Sequence, residues 1–178
     1  MGLCGLLAHR LGGGHVCITD GDTDALKLLR ENIARNRRDD DDDHEYHDTT
    51  VVARQLLWGQ TTTEPFVQRH GTFDLLIASD IIYAAVIVEP LWETVQLLLP
   101  QTSQARFIMA YARRKVPVTI EKVLEAADAA GFDYTLVQED EVEGIWVYEF
   151  QWKTERCADS DYNVGEKDPF LNVAETLP

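Results

Sequence analysis

Phe73-Asp-Leu-Leu-Ile-Ala-Ser-Asp-Ile-Ile-Tyr83 is a hydrophobic run that ends abruptly in a carboxylate, followed by an aromatic hydroxyl. Leu75, Leu76 and Ile77 read as a strand buried on both faces, as in a parallel sheet. Ligands of open α/β sheets bind beyond the carboxyl ends of the strands, so Asp80 and Tyr83 stand where chemistry would be done. A second strand, Val16-Cys-Ile-Thr-Asp20, also ends in a carboxylate and leads into a helix. Two such strand ends suggest a nucleoside-type cofactor and a polar substrate side by side.

Outward from these strands the pattern alternates. Gly2–Leu11 reads as a helix with Leu3, Leu6, Leu7 and Leu11 on one side, ended by Gly12–Gly14. Asp22 or Thr23 caps a second helix carrying Ala25, Leu28, Leu29 and Ile33 at helical spacing. Thr49–Leu57 is a strand ending at Trp58-Gly59, and 60–71 reads as a polar connection. A helix near Pro90 runs to about Leu99, with Leu91, Val95, Leu98 and Leu99 as its apolar face. A strand over Arg106–Tyr111 precedes a helix opened by Pro117 and stopped at Gly131. Phe132–Val137 and Ile145–Trp152 close the domain as a hairpin. The expected fold is α/β and Rossmann-like, a mostly parallel sheet with helices on both faces and a C-terminal antiparallel strand. The domain covers 1–152, with an acidic insertion at 39–48 and a loose tail at 153–178.

Composition narrows the function. The chain has 178 residues, enough for one domain with a core, and a formal net charge of −15. That charge disfavours nucleic-acid binding, which needs lysine and arginine to replace counterions, and favours basic partners. Asp39–Asp43 form one acidic run and 138–143 hold another. No apolar run reaches the ~20 residues of a membrane span, and the N-terminus lacks the basic flank and cleavage site of a signal peptide. Leu6 stands where a myristoylated Gly2 would want serine or threonine. Cys4, Cys17 and Cys157 show no metal-ligand spacing and fit reduced thiols, hence a cytoplasmic or nuclear protein. His44 and His47 fall in the acidic loop and read as solvated rather than as metal ligands. The expectation is a monomer without a metal.

Four segments together, Gly2-Leu-Cys-Gly5, Thr19-Asp-Gly-Asp22 with Leu29–Asn36, Leu57-Trp-Gly59, and Ser79-Asp-Ile-Ile-Tyr83 with Pro90-Leu-Trp92, resemble lysine methyltransferase family 16. These are seven-stranded, S-adenosylmethionine-dependent protein methyltransferases. The resemblance covers roughly residues 2–152. It implies that Gly2 is the last glycine of the cofactor loop, that Gly5 lies in the following helix, and that Asp20 binds the cofactor ribose. It implies that Trp58 lies against the adenine, that Ala78 lines the cofactor cleft, and that Asp80 and Tyr83 face a lysine of a substrate protein. The family pattern begins with a strand and Glu-x-Gly-x-Gly, whereas Met1 here falls inside that loop. The expectation is an N-terminally shortened chain whose missing first strand would lie between those ending at Asp20 and Asp80. The flanking strands then close up, take another segment between them, or keep unpaired edges.

Each residue also has a plainer reading: Asp80 as a helix cap, Tyr83 as half-buried packing, Asp20 as a turn former, Trp58 as core, Gly2 and Gly5 as close-packing positions. A nucleotide-dependent oxidoreductase is the enzymatic rival, though its Gly-x-Gly-x-x-Gly fingerprint is absent. A non-catalytic methyltransferase-like binding protein, or an inactive fragment, is the alternative of another class.

Overall fold

The computed structural model describes residues 1–36, 50–114 and 118–154. The Asp39–Asp43 run, the insertion with His44 and His47, Pro117, Cys157 and the chain beyond residue 154 lie outside the described residues.

The elements run α1 (Leu3–Arg10), β1 (His15–Asp20), α2 (Thr23–Asn36), β2 (Thr50–Gln55), α3 (Gln60–His70), β3 (Leu75–Ser79), a 3-10 turn (Ala85–Ile87), α4 (Val88–Leu98), β4 (Arg106–Ala112), α5 (Ile120–Ala129), β5 (Phe132–Asp140) and β6 (Ile145–Trp152). The strands form two sheets, a parallel pair β1-β2 and a four-stranded sheet in the order β3-β4-β6-β5. β3 and β4 are parallel, whereas β6 runs antiparallel to both β4 and β5. The expected α/β class and antiparallel C-terminal end are present. Lys153, where the sequence places the start of a loose tail, is tied to the end of α5. Its Nζ donates to Asp128 Oδ1 at 2.8 Å and its backbone N–H to the Gly131 carbonyl at 3.0 Å.

The main core lies between the four-stranded sheet, α4 and α5. Trp92 of α4 is 2% exposed and its ring meets Phe107, Phe132 and Phe150 with centroids 5.8, 5.5 and 4.9 Å away. Burial of an indole needs a partner for its N–H, and Trp92 Nε1 donates to the Val123 carbonyl of α5 at 3.1 Å. A smaller core of Leu26, Leu29, Ile33 and Ala53 joins α2 to the β1-β2 pair. A third cluster links the two sheets: Leu56, Phe66 and Leu98, with partly buried Cys17, Phe73 and Leu76 against them.

Four expectations are corrected. The segment Gln60–His70 is helix α3, not a polar connection, because its N-terminal cap comes from elsewhere in the chain, as shown below. β3 is not buried on both faces: Leu75 is 48% and Ile77 44% exposed, because β3 pairs only with β4 and packs only Leu76 and Ala78 onto the main core. Of the expected leucine face of α1 only Leu6 packs inward, against the α2 core, while Leu3, Leu7 and Leu11 are exposed. The glycine side of α1 faces β1 instead, so close that a Cβ at Gly5 would meet Ile18 Cγ1 at 2.5 Å. In α2 the buried partner of Leu29 is Leu26, while Leu28 is exposed. β1 and β3 neither close up nor share an inserted strand among the described residues, and each is the edge of its own sheet.

Candidate active site

Asp80 extends the β3–β4 ladder by one step, its backbone N–H donating to the Ala110 carbonyl at 2.9 Å. The chain then turns sharply, because Asp80 has φ 56, the one positive φ outside glycine among the described residues. Aspartate is among the few residues that enter the left-handed region readily, its short polar side chain bonding locally. Strain of this kind clusters at functional sites. Asp80 does not cap a helix: the next helical turn starts at Ala85 with Ala84 as its cap. Its Oδ2 instead accepts from Nη2 of Arg114. Arg114 follows β4, and the parallel register Ser79↔Ala110 makes the tails of β3 and β4 leave the sheet together, which brings cation to carboxylate. Tyr83 is 59% exposed, so it is not a packing residue, whereas Ile82 beside it is 2% exposed and anchors the loop.

Asp20 ends β1. Its backbone carbonyl accepts from the Leu56 N–H at 3.1 Å and its Oδ1 from the Asp22 N–H at 2.9 Å. Asp22 in turn caps α2, its Oδ1 accepting from the N–H groups of Asp24 and Ala25 at 2.6 and 3.2 Å. The turn-forming reading of Asp20 therefore holds for one oxygen, while Oδ2 has no hydrogen bond from the described residues. Gly2, with φ 82, and Gly5 stand against α2 and β1: a Cβ at Gly2 would meet Leu29 Cδ1 at 2.3 Å. The packing reading of these glycines is thus the one their surroundings express. Trp58 lies half-buried against the main core, ahead of Gly59 with φ 120. Ala78 pairs with Met109 in the β3–β4 ladder and packs against the same core.

The candidate residues fall into two groups. Gly2, Gly5 and Asp20 gather around β1 and α2, whereas Ala78 lies in β3 and Asp80 and Tyr83 follow it, with Trp58 packed on the same core as Ala78. Asp20 and Asp80 belong to different sheets and have no partner in common among the described residues.

Sequence reading missed what lies beyond β4. A cavity of about 410 Å³ opens there, lined among others by Tyr111, Arg113, Arg114, Glu121, Trp146 and Tyr148. The Arg113 guanidinium carbon sits 4.7 Å from the centroid of the Trp146 ring. Hydrogen bonds from the Thr119 hydroxyl and its own backbone hold the Glu121 carboxyl below its usual range. Burial, and next the Glu121 charge, push the Tyr148 phenol up. The Arg113-Arg114 pair at a strand end was the available signal. Tyr111 comes from β4 itself, whereas Glu121 of α5 and Trp146 and Tyr148 of β6 meet the pair only through the fold.

The family model described as lysine methyltransferase matches residues 1–125, which include both strand-end carboxylates. The chain is also 34% identical over 105 residues to the Secreted RxLR effector protein 48 of Plasmopara viticola, covering 58% of this chain and 50% of that protein. It thus spans about half the length of this curated relative. With a family match over most of its length and the α/β architecture to accompany it, the chain belongs to the lysine methyltransferase family.

Proposed function

We propose that this protein is an S-adenosylmethionine-dependent methyltransferase whose acceptor is a lysine of a substrate protein. The observation that carries the reading is Asp80, a carboxylate held at φ 56 beyond a parallel strand, inside the segment that matches the family. When bound, the cofactor supplies an electrophilic methyl group. The residues fit it in part: the free Oδ2 of Asp20 can accept from a sugar hydroxyl, Trp58 offers an aromatic face, and Ala78 leaves room at a strand end. Gly2 and Gly5 have their Cα faces packed on Leu29 and Ile18, so they would contact a ligand through backbone.

Methyl transfer is an in-line displacement and needs a neutral amine aimed at the methyl carbon. A free lysine has a pKa of ~10.4, so the site must select or favour its neutral form. Asp80 accepts a hydrogen bond from the amine and orients it, and Tyr83 offers a ring face or hydroxyl beside it. The free thiols of Cys4 and Cys17 support a reducing compartment, cytoplasmic or nuclear.

Calorimetry with S-adenosylmethionine tests the reading. Micromolar binding is expected, and no binding at millimolar concentration would leave a non-catalytic binding domain. In a protein that turns over, Asp80→Ala should abolish methyl transfer while leaving cofactor affinity nearly intact. Undiminished transfer would remove Asp80 from its role.

A further inference from the structure

We propose that Arg113 and Arg114 occupy the places of an acceptor's own cations, so that the acceptor is a lysine with a basic neighbour, and docking it displaces an internal basic pair. This rests on the reading of Asp80 given above. Arg114 is paired with the Asp80 carboxylate and Arg113 with the Trp146 face. β4 lies between β3 and β6 in the sheet, so the two receptors bracket its end from opposite sides. Neighbouring side chains of an extended segment diverge, so two adjacent cations can reach separate receptors. A segment with two adjacent basic residues would reproduce the arrangement that Arg113 and Arg114 now fill.

The receptors suit cations. Trp146 is held by its Nε1–H, which donates to Glu139 Oε1 at 2.7 Å, leaving a ring face for a guanidinium or ammonium and a carboxylate at its edge. The charged and titratable groups facing the cavity are Glu121 from α5, Tyr111 from β4, Tyr148 from β6 and the two arginines themselves. Glu139, Asp140, Glu141 and Glu143 form an exposed acidic rim at the β5–β6 turn. The chain's net charge of −15 favours a basic segment as partner over nucleic acid. The internal latch is weak enough to open: the Arg114 and Asp80 side chains are 49% and 35% exposed, and exposed ion pairs contribute little.

The test is a titration of the full chain, by NMR or calorimetry, with blocked alanine-based peptides. One contains adjacent lysine and arginine, one contains lysine alone. Arg114→Gln should tighten binding of the first peptide at least tenfold. Asp80→Asn placed on top should remove that gain, since asparagine tolerates the same backbone conformation. Trp146→Leu should erase the preference for the first peptide over the second. If Arg114→Gln binds no better than the parent, or neither binds the peptide at millimolar concentration, the inference is overturned. Cofactor calorimetry on the same variants separates the two proposals. Cofactor binding without the peptide gain keeps the enzymatic reading and rejects this one, and the gain without cofactor binding keeps only the docking of a basic pair at Asp80 and Trp146 and rejects the enzymatic reading.

Discussion

At Asp80, backbone and side chain are held by different parts of the chain. The backbone N–H is fixed by Ala110 and the carboxylate by Arg114, 34 residues downstream. That Asp80 ends a strand was legible in the Leu75–Ser79 run. Its left-handed turn and its arginine partner were not, because both depend on a strand laid beside it later in the sequence. The conformation makes a prediction independent of chemistry. Asp80→Gly should cost little, whereas Asp80→Val should lose about 1–2 kcal/mol to Cβ crowding at positive φ. Denaturant midpoints measure the difference, and equal midpoints would mean that the turn relaxes. Cys17 offers a second test at this scale. Burial pushes its thiol up to about 11, with Arg54 pulling the other way. The folded state therefore prefers the neutral thiol. Its contribution is whole below the unfolded value of 9.0 and is lost as pH rises toward 11. Since the group is partly exposed, the loss should be at most about 1–2 kcal/mol. The parent should lose stability relative to Cys17→Ala across that window, and parallel curves would show the thiol to be well solvated.

Among the elements, α3 shows most plainly what a local reading misses. Gln60–His70 holds three threonines, a proline inside the helix and few apolar residues, which favours a loop. Its N-terminus is built by α4. Glu93 Oε2 accepts from the Gln60 N–H at 3.0 Å, and Thr94 Oγ1 from the Gly59 N–H at 2.9 Å. Inside, Thr63, fully buried, donates to the Gly59 carbonyl at 2.8 Å and meets Thr94 Oγ1 at 3.1 Å. Glu93 and Thr94 lie more than thirty positions away in sequence, so no window around α3 contains its cap. Thr94→Val keeps the shape but leaves the Gly59 N–H without its acceptor and Thr63 without its side-chain partner. Thermal unfolding should show a loss of about 1–3 kcal/mol, and Glu93→Ala, more exposed, about 0.5–1. A larger effect for Glu93 than for Thr94 would reverse this account of the cap. The helices α4 and α5 were legible because their apolar spacing agrees with their burial, and α2 was legible as a helix although its buried face takes Leu26 in place of Leu28. In α1 the same rule failed, since Gly2 and Gly5 with Leu6 alone of the leucines mark its inner face.

At the scale of the molecule, the described residues form two sheets joined by side chains. Among the described residues β1 and β3 each pair on one edge only, and Cys17, Phe73 and Leu76 meet between them around Leu56, Phe66 and Leu98. His15 stacks on Phe73 with centroids 6.1 Å apart at the same junction. The family resemblance anticipated a discontinuity here, whereas composition alone gave no hint of it. Hydrogen bonds in a parallel ladder alternate along the strand. Thr50 N–H donates to the Gly14 carbonyl and Leu56 N–H to that of Asp20, so the N–H groups of Val16 and Ile18 turn toward β2 and those of His15, Cys17 and Thr19 away. On β3, Asp80 N–H donates to Ala110, so the N–H groups of Leu76 and Ala78 face β4 and those of Leu75, Ile77 and Ser79 face the open edge. Native-state hydrogen exchange should therefore split each strand into protected and unprotected amides, by roughly a hundredfold or more, in strict alternation. The small core of Leu26, Leu29, Ile33 and Ala53 should also let the β1-β2 pair open at lower free energy than the Trp92-centred sheet. A partner strand added to either edge would protect the outward set selectively, as pairing with an exposed edge does elsewhere. Uniform protection along β1 or β3 in the isolated chain would mean that these edges are already paired, and the description of two sheets would have to be abandoned.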